Sequence, residues 1–271
     1  MFNFLPFYKG YPKNTLLILG CQRSGTTLIS RVFDNLVFAK VFGEYNCYAN
    51  PPRGDRPLRL KPRAEVNRGL AIQREPFTVM KPIVDSQITN TLLDEIEHSS
   101  ALWVYRDFKD VALSNIKKFG DFHGGHAHIE ALLKPDHNNW RGQNVSDKTK
   151  NIVTKLSVAN LSPLEASCLF WYARNILFFE QDLEKREKVW LWKYEQFVQT
   201  PKQLMNELMS RLGYPACKDK ITANVSGESI GNAKELEISD EIDLLCSELQ
   251  NKLDNVFYCQ IDHVIPITLN L

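Results

Sequence analysis

The stretch LLILGCQRSGTTLIS, residues Leu16–Ser30, decides the fold. Its first apolar run ends at Gly20, a second glycine follows at Gly25, and another apolar run begins shortly after it. This spacing is the frame of a phosphate-binding loop, G-x-x-x-x-G-K-[ST], which joins a buried strand to a helix. The lysine of that pattern is absent, because Thr26 and Thr27 fill the last two positions. The stretch therefore predicts an anion-binding loop without its usual lysine.

Other groups of this loop are suited to an anion. Backbone N–H groups around a glycine turn at the N-terminus of a helix form an anion site whatever the side chains are. Arg23 adds a planar guanidinium, and the two threonines add hydroxyl donors. In ATP-dependent loops the lysine acts together with magnesium, but the acidic candidate for magnesium here, Asp107, stands beside the cation Arg106. We interpret the loop as a site for a shorter anion, handled without lysine and metal.

Composition narrows the class of protein. The chain has 271 residues, 44% of them hydrophobic and 24% charged, which is typical of a globular protein. Its 33 basic and 32 acidic residues leave a formal net charge of +1, which argues against a nucleic-acid partner. The six cysteines form no C-x-x-C pair and are interpreted as reduced thiols. We find no signal peptide and no apolar run of about 18 residues, so we expect a cytoplasmic protein without a membrane span.

Strands and helices alternate along the chain. The short apolar runs TLLILG, FTVMK, ALWVYRD and VWLWKYEQF are typical of buried parallel strands. Apolar residues at helical spacing predict a helix from Thr26 to about Asn35. This alternation predicts a parallel sheet with helices on both faces. We therefore expect one α/β domain over residues 1–271, with the plan of the P-loop NTPases.

Two helix starts led by proline support this pattern. Ser162 is followed by proline and then by Glu165, which together predict a capping box with proline at the first helical position. The segment TPKQ, which begins at Thr200, predicts the same device for a later helix. Gly213 is expected to end that helix.

Two polar stretches interrupt the alternation. Residues 50–74 carry four prolines and seven basic residues, and residues 119–150 carry four glycines and four histidines. Such insertions are either lids and binding loops or solvated excursions, and both interpretations stay open. The second stretch contains four side chains that could ligate a transition metal: His123, His126, His128 and Glu130. Because they lie in a glycine-rich segment, we predict no metal there and expect a lid that contacts an anionic acceptor, or a solvated loop.

A second anion site is predicted in WVYRDFKDVALSN, residues Trp103–Asn115. Arg106 stands at a strand end, Asp107 at an N-cap position, and Ser114 two turns into the next helix. Arg106 and Ser114 could clamp a phosphate separate from the first anion. The alternatives are an ion pair of Arg106 with Asp107 or Asp110, and a helical serine without a role. The two sites together suit a nucleotide with a 5′ anion and a separate 3′ phosphate.

These motifs resemble the sulfotransferases that use 3′-phosphoadenosine 5′-phosphosulfate (PAPS) and release 3′-phosphoadenosine 5′-phosphate (PAP). The family's 5′-phosphosulfate loop is similar to GCQRSGTTLIS, its 3′-phosphate motif is similar to YRDFKDVALSN, and WLWKYEQFVQTPKQLMNELMSRLGYP is a looser third match. The resemblance implies that Arg106 and Ser114 hold the 3′-phosphate and that Tyr194 lies near the nucleotide. It also implies which residues hold the 5′-phosphosulfate: Arg23, Ser24, Gly25, Thr26 and Thr27.

The resemblance points to catalytic groups as well. Aryl and steroid members of the family use a histidine two residues after a lysine, whereas here Lys81 is followed at that distance by Ile83. Carbohydrate-type members often use a glutamate after the first helix and second strand, a place that Glu44 takes in VFAKVFGEYN. We therefore expect Glu44 to be the general base. Lys81 and Arg23 would stabilise the leaving oxygen, and Asp85 would position Lys81 or the acceptor.

The expected reaction is sulfuryl transfer from PAPS to a hydroxyl group of a small molecule or saccharide. Two alternatives stay open: a small-molecule kinase with a degenerate loop, and a nucleotide-binding relative without activity. A histidine of residues 119–150 is the alternative base. Neither the acceptor nor the oligomeric state follows from the sequence.

Overall fold

The computed structural model describes residues 10–50, 58–134, 139–157, 161–228, 230–231, 233 and 236–262. Its strands are β1 (Asn14–Gly20), β2 (Ala39–Phe42), β3 (Ala49–Asn50), β4 (Arg59–Leu60), β5 (Phe77–Met80), β6 (Ser99–Tyr105) and β7 (Val189–Lys193). Five of them form a parallel sheet in the order β2-β5-β1-β6-β7, and β3 and β4 form a short antiparallel pair. The predicted parallel α/β fold is confirmed.

Helices flank this sheet. They are α1 (Thr26–Asp34), α2 (Arg63–Ala71), α3 (Thr89–Glu95), α4 (Phe108–Asp121), α5 (Ala127–Leu133), α6 (Asp147–Leu156), α7 (Pro163–Asn175), α8 (Leu177–Glu180), α9 (Tyr194–Gln199), α10 (Pro201–Arg211) and α11 (Asp240–Asp262). Shorter turns are a π-helix at Phe122–His126 and 3₁₀-helices at Ile83–Ile88, Leu183–Lys185 and Asp219–Ile221.

The core lies where the central strands meet α7 and α8. Strand β6 is buried along its whole length. Its Trp103 packs edge-on against Phe178, with ring centroids 5.8 Å apart, and donates a hydrogen bond of 3.2 Å to Asn175. The capping box at Ser162 is present, since its hydroxyl accepts from the N–H of Glu165, whose carboxylate accepts from the N–H of Ser162. The sheet and this helix therefore follow the local sequence signals.

Two local predictions are wrong at the exit of β7. The run VWLWKYEQF was predicted as one strand, but the strand ends at Lys193 and α9 begins at Tyr194. Tyr194 and Phe197 are both buried at helical spacing, a pattern that a short apolar run cannot distinguish from a strand. Thr200 does not cap α10 with its side chain, because its hydroxyl donates to the carbonyl of Gln196 in the helix just before it.

The polar stretch 119–150, expected as a lid or a solvated loop, is largely helical where the structure describes it; residues 135–138 lie outside. Gly124 and Gly125 are buried in the π-helix. A Cβ at Gly124 would lie 2.6 Å from the carbonyl oxygen of Asn115, and one at Gly125 would lie 2.4 Å from that of Pro163. These glycines therefore serve close packing of helices rather than loop flexibility.

The other polar stretch, 50–74, is also ordered where it is described. It contains β4 and α2, while residues 51–57 lie outside the described part. In the described residues, no helix is long and apolar enough to cross a membrane. The six cysteines are free thiols, four of them buried.

Gly20 is required where β1 leaves the sheet. Its φ is 121°, and a Cβ there would lie 2.3 Å from the carbonyl oxygen of Val104 on β6. We expect Gly20→Ala to lower the free energy of unfolding by about 2–4 kcal/mol, from backbone strain and overpacking. Urea denaturation measures this change.

The matched control is Gly43→Ala, where no atom lies within 4 Å of the added Cβ. It should change the free energy of unfolding by less than about 1 kcal/mol. Equal stability of the Gly20 and Gly43 variants would contradict the close approach of β1 and β6.

Candidate active site

Residues predicted for the site lie where the five parallel strands end. In parallel α/β sheets, ligands bind outside the carboxyl ends of the strands, near the place where the strand order reverses. Strand β1 is central in this sheet, and the chain leaves it to build first one side and then the other. The five strands β2, β5, β1, β6 and β7 are followed, in that spatial order, by Glu44, Lys81, the phosphate loop, Arg106 and Tyr194.

The phosphate loop turns at the centre of this edge. The N–H of Gly20 donates to Ser86 Oγ at 3.0 Å, which holds the base of the loop. Gly25 has a φ of 84°, and a Cβ there would lie 2.1 Å from the Tyr194 ring, so the tyrosine packs directly on the loop. Gly25, at the N-cap of α1, has no side chain that could cap the helix. The first N–H groups of α1 are therefore placed for an anion.

Ser24 is fully buried in this loop. Among the described residues, its Oγ finds no hydrogen-bond partner. A buried hydroxyl without a partner is costly in a folded protein. Its presence in a loop of anion-binding shape therefore fits a ligand oxygen.

Glu44, Lys81 and Thr27 form a contiguous polar chain on one side of the loop. Lys81 Nζ lies 2.9 Å from Glu44 Oε1 and donates to Thr27 Oγ1 at 2.8 Å. Lys81 is 8% exposed, whereas 32% of the Glu44 side chain is exposed. The pair exists because β5 lies between β1 and β2, so that the exits of β2 and β5 are neighbours. The structure thus brings a carboxylate and a cation to the loop.

Arg23 and Ser114 meet on the other side. Arg23 Nε donates to Ser114 Oγ at 3.0 Å, and its backbone has a φ of 66°. Burial and the neighbouring Arg106 lower the pKa of Arg23. Two guanidinium groups that repel each other in this way favour an anion between them.

Arg106 is buried and held by α4 and α9. Its guanidinium lies 3.2 Å from Asp110 and 4.9 Å from the centre of the Tyr194 ring. Asp110 also accepts from the backbone N–H groups of Gly231 and Ala233, at 2.8 and 3.1 Å. The ion pair considered as an alternative for Arg106 is therefore present, but it is buried and ties the segment around Gly231 to the site. The N-cap predicted at Asp107 is confirmed by its bond of 2.9 Å from the N–H of Asp110.

Asp85 has a different partner from the one expected. It is 1% exposed, pairs with Arg59, and accepts from the N–H of Leu60 at 2.9 Å. Among the described residues, no hydrogen bond or ion pair joins it to Lys81, and its bonds fasten β4 to the exit of β5 instead. Ile83 is buried at 5% exposure, and its carbonyl accepts from Ser86 Oγ at 2.8 Å.

His128 is buried in α5, and both of its ring nitrogens have side-chain partners. Arg141 Nε donates to its Nδ1 at 2.9 Å, its Nε2 lies 3.0 Å from the Gln22 amide, and its ring stacks on Phe170 at 4.1 Å. Burial, together with Arg141 and Arg174, lowers the pKa of His128 to about 3. Within the part of the chain that is described, no three His, Cys, Asp or Glu side chains are grouped to hold a metal ion.

Family comparison agrees with this geometry. The sulfotransferase domain family matches residues 13–255, a span that includes every site residue named above. The chain belongs to the sulfotransferase family. This confirms the family that the motifs predicted.

Two solved structures show the same fold. A sulfotransferase from Alicyclobacillus acidocaldarius is 12% identical, with 92% of this chain and 96% of that chain covered at a TM-score of 0.50. The sulfotransferase domain of the Synechococcus PCC 7002 olefin synthase is 12% identical, with 91% and 96% covered at a TM-score of 0.52. No curated protein sequence matches this sulfotransferase.

Sequence reasoning missed several polar residues of the site: Gln22, Arg59, Asn115, Arg141 and Ser167. Gln22 and Asn115 directly adjoin Arg23 and Ser114, and this adjacency was the signal that could have found them. Nothing in the sequence indicates that Arg141, thirteen residues further along the chain, reaches His128.

The depressed pKa of His128 makes the stability of this sulfotransferase depend on pH. Between its folded pKa of about 3 and the ordinary value of 6.5, the unfolded chain binds the proton and the folded chain does not. Stability therefore falls as the pH falls, by about 1.5 kcal/mol between pH 6.5 and 5.0 from this residue. His128→Gln should remove that part of the loss, as measured by urea denaturation at both pH values.

The control is His123→Gln, which changes an exposed histidine of the neighbouring π-helix. Its charge is the smallest contributor to the lowered pKa of His128, so the variant should keep most of the pH dependence of the parent. The same pH dependence in the His128 variant and in the parent would show that His128 titrates normally.

Proposed function

We propose that this sulfotransferase transfers the sulfuryl group of PAPS to a hydroxyl group of a small molecule or saccharide and releases PAP. The observation that carries the proposal is the chain Glu44–Lys81–Thr27, with contacts of 2.9 and 2.8 Å, at the edge of the phosphate loop. A carboxylate able to take a proton stands beside a cation that touches the loop. The combination suits an attack on a group bound by the loop.

The donor site fits PAPS at both of its charged ends. Around the 5′ end are the N–H groups of α1, the buried hydroxyl of Ser24 that has no partner among the described residues, and Arg23. Around the 3′ end are Arg106 and Ser114. The Arg106 guanidinium packs over the Tyr194 ring, and the Ser114 hydroxyl accepts a hydrogen bond from Arg23. Arg23 thus touches both groups of residues. PAPS supplies the activated sulfuryl group, bound to a phosphate oxygen that can leave.

The residues of the chain have separable tasks in this reaction. Glu44 accepts the proton of the acceptor hydroxyl while the new S–O bond forms. Lys81, fixed between Glu44 and Thr27, places positive charge at the loop, where the S–O bond to phosphate breaks and negative charge develops. Arg23 and the loop N–H groups stabilise the same charge. Most of the catalytic effect then comes from positioning and electrostatics.

Nucleotide binding tests the donor. We expect PAP to raise the melting temperature, because a ligand at 100 times its dissociation constant adds about 2.7 kcal/mol of stability. ADP and magnesium-ATP should give smaller shifts. Ser114→Ala should reduce the PAP shift, since it removes the hydroxyl that Arg23 contacts. A fluorescence melting assay measures all of these shifts.

Lys118→Ala is the control, because Lys118 is exposed on the same helix as Ser114. It should leave the PAP shift unchanged. Stabilisation by magnesium-ATP alone would reject the PAPS proposal and favour a kinase.

Replacement of Glu44 tests the base. We expect Glu44→Gln to slow the release of PAP from PAPS, in the presence of a panel of monosaccharides and small hydroxyl compounds, by about 10²–10⁴-fold. The affinity for PAP, measured by calorimetry, should stay nearly unchanged, since Glu44 lies on the acceptor side. This pattern would also separate an enzyme from a nucleotide-binding relative without activity.

The control is Glu65→Gln, in which a glutamate paired with Lys61 at 2.8 Å is changed outside the loop. It should retain the parent rate. If Glu44→Gln keeps full activity, the base is a different group.

A further inference from the structure

Two adjacent hydrogen bonds join the phosphate loop to α4. The first links Arg23 to Ser114 at 3.0 Å, and both residues belong to the donor site described above. The second links the side-chain amides of Gln22 and Asn115 at 2.9 Å, one residue along each segment. This second bond involves no residue of the proposed chemistry. It lies where it can set the distance between the two segments.

The second bond is part of a longer buried chain. Beyond Gln22, the chain continues to His128 Nε2 at 3.0 Å and then to Arg141, whose Nε donates to His128 Nδ1 at 2.9 Å. Beyond Asn115, it continues to Ser167 Oγ at 3.0 Å. Asn115 and Ser167 are fully buried, and His128 is 2% exposed. A buried polar group that loses its partner destabilises the folded protein. The chain is therefore held in the arrangement in which every member keeps its partner.

The tautomer of the neutral His128 ring determines how the side-chain amides of Gln22 and Asn115 are oriented. Arg141 can only donate, so Nδ1 of the neutral His128 ring accepts and the ring proton sits on Nε2. Nε2–H needs an oxygen, which selects the orientation of the Gln22 amide with Oε1 towards the ring. Exchanging the nitrogen and oxygen of both amides reverses the Gln22–Asn115 and Asn115–Ser167 bonds, in which Gln22 Nε2 and Asn115 Nδ2 otherwise donate. Asn115 then donates to Gln22 Oε1 and accepts from the Ser167 hydroxyl. In this pattern each of the four contacts along the chain pairs a donor with an acceptor.

Helix α7 holds the chain at two places. It carries Ser167, and it also carries Phe170, on which the His128 ring stacks with centroids 4.1 Å apart and planes at 13°. Residues three apart lie on one face of a helix, so a single rigid face holds both the Asn115 and the His128 branches. Helix α7 therefore fixes the position of Gln22, and with it the start of the phosphate loop.

We propose that His128 is a positioning residue, which acts through Gln22 and Asn115 to hold Arg23 and Ser114 at the spacing that a nucleotide with both a 5′ and a 3′ phosphate requires. This inference rests on the proposed function, because it concerns the same donor site. His128 itself contacts no part of the nucleotide. It affects the spacing between the two phosphate sites rather than either site alone.

The experiment compares PAP with 5′-AMP, which lacks the 3′ phosphate, by isothermal titration calorimetry. Gln22→Met and His128→Phe should each weaken PAP by about fivefold to tenfold, the effect of one lost hydrogen bond. Each should weaken 5′-AMP by less than about twofold, because 5′-AMP does not bridge the two sites. The double variant should bind PAP no more weakly than the weaker single variant, since both changes break one chain.

His123→Phe is the matched control, because it makes the same change at an exposed histidine. It should bind both nucleotides as the parent does. If His128→Phe does not fold, Gln22→Met decides the question, since Gln22 is a half-buried loop residue whose loss leaves the stacking of His128 on Phe170 in place.

Three results would overturn the inference while the parent binds PAP: equal weakening of both nucleotides, unchanged PAP affinity, or additive effects in the double variant. Equal weakening would indicate a general structural role for the chain. If the parent fails to bind PAP at all, the proposed function fails, and the inference fails with it. The two failures are therefore distinguishable.

Discussion

Everything in the site depends on the parallel pairing of the five central strands. Parallel strands place their carboxyl ends at one edge, so the side chains that follow them converge although they are far apart in the sequence. The pairing is tight at the centre, where the missing side chain of Gly20 lets β1 approach the backbone of Val104. The phosphate loop therefore turns directly over the edge, with one side open towards β2 and β5 and the other towards β6 and β7.

Structural features that depend only on a short stretch of sequence could be predicted. The strand–loop–helix unit from Leu16, the spacing of Arg106 and Ser114 across the start of α4, and the capping box at Ser162 all depend on neighbours within a few residues. Features that depend on packing were not. Gly124 and Gly125 look like loop residues, but their missing side chains let α4 and α7 approach the π-helix closely. No local pattern carries that information.

The contacts of the site show the same division. That Glu44 and Lys81 lie at strand ends could be inferred, but their distance of 2.9 Å exists only because β5 pairs with β2. Asp85 illustrates the reverse case. Its closeness to Lys81 in the sequence suggested a contact, yet the 3₁₀-helix at Ile83–Ile88 turns its carboxylate towards Leu60 and Arg59. Proximity in sequence therefore misleads where the backbone turns sharply.

That turn also explains why β2 rather than β5 supplies the carboxylate in the proposed reaction. The position two residues after Lys81 is Ile83, which is buried at 5% exposure, and its carbonyl accepts from Ser86. A titratable side chain there would be buried rather than partly exposed, at a cost in desolvation. Glu44 lies across the seam between the two strands, partly exposed and next to Lys81. The proposed base and its cation thus follow neighbouring strands, and their ion pair joins the exit of β2 to the loop through Thr27.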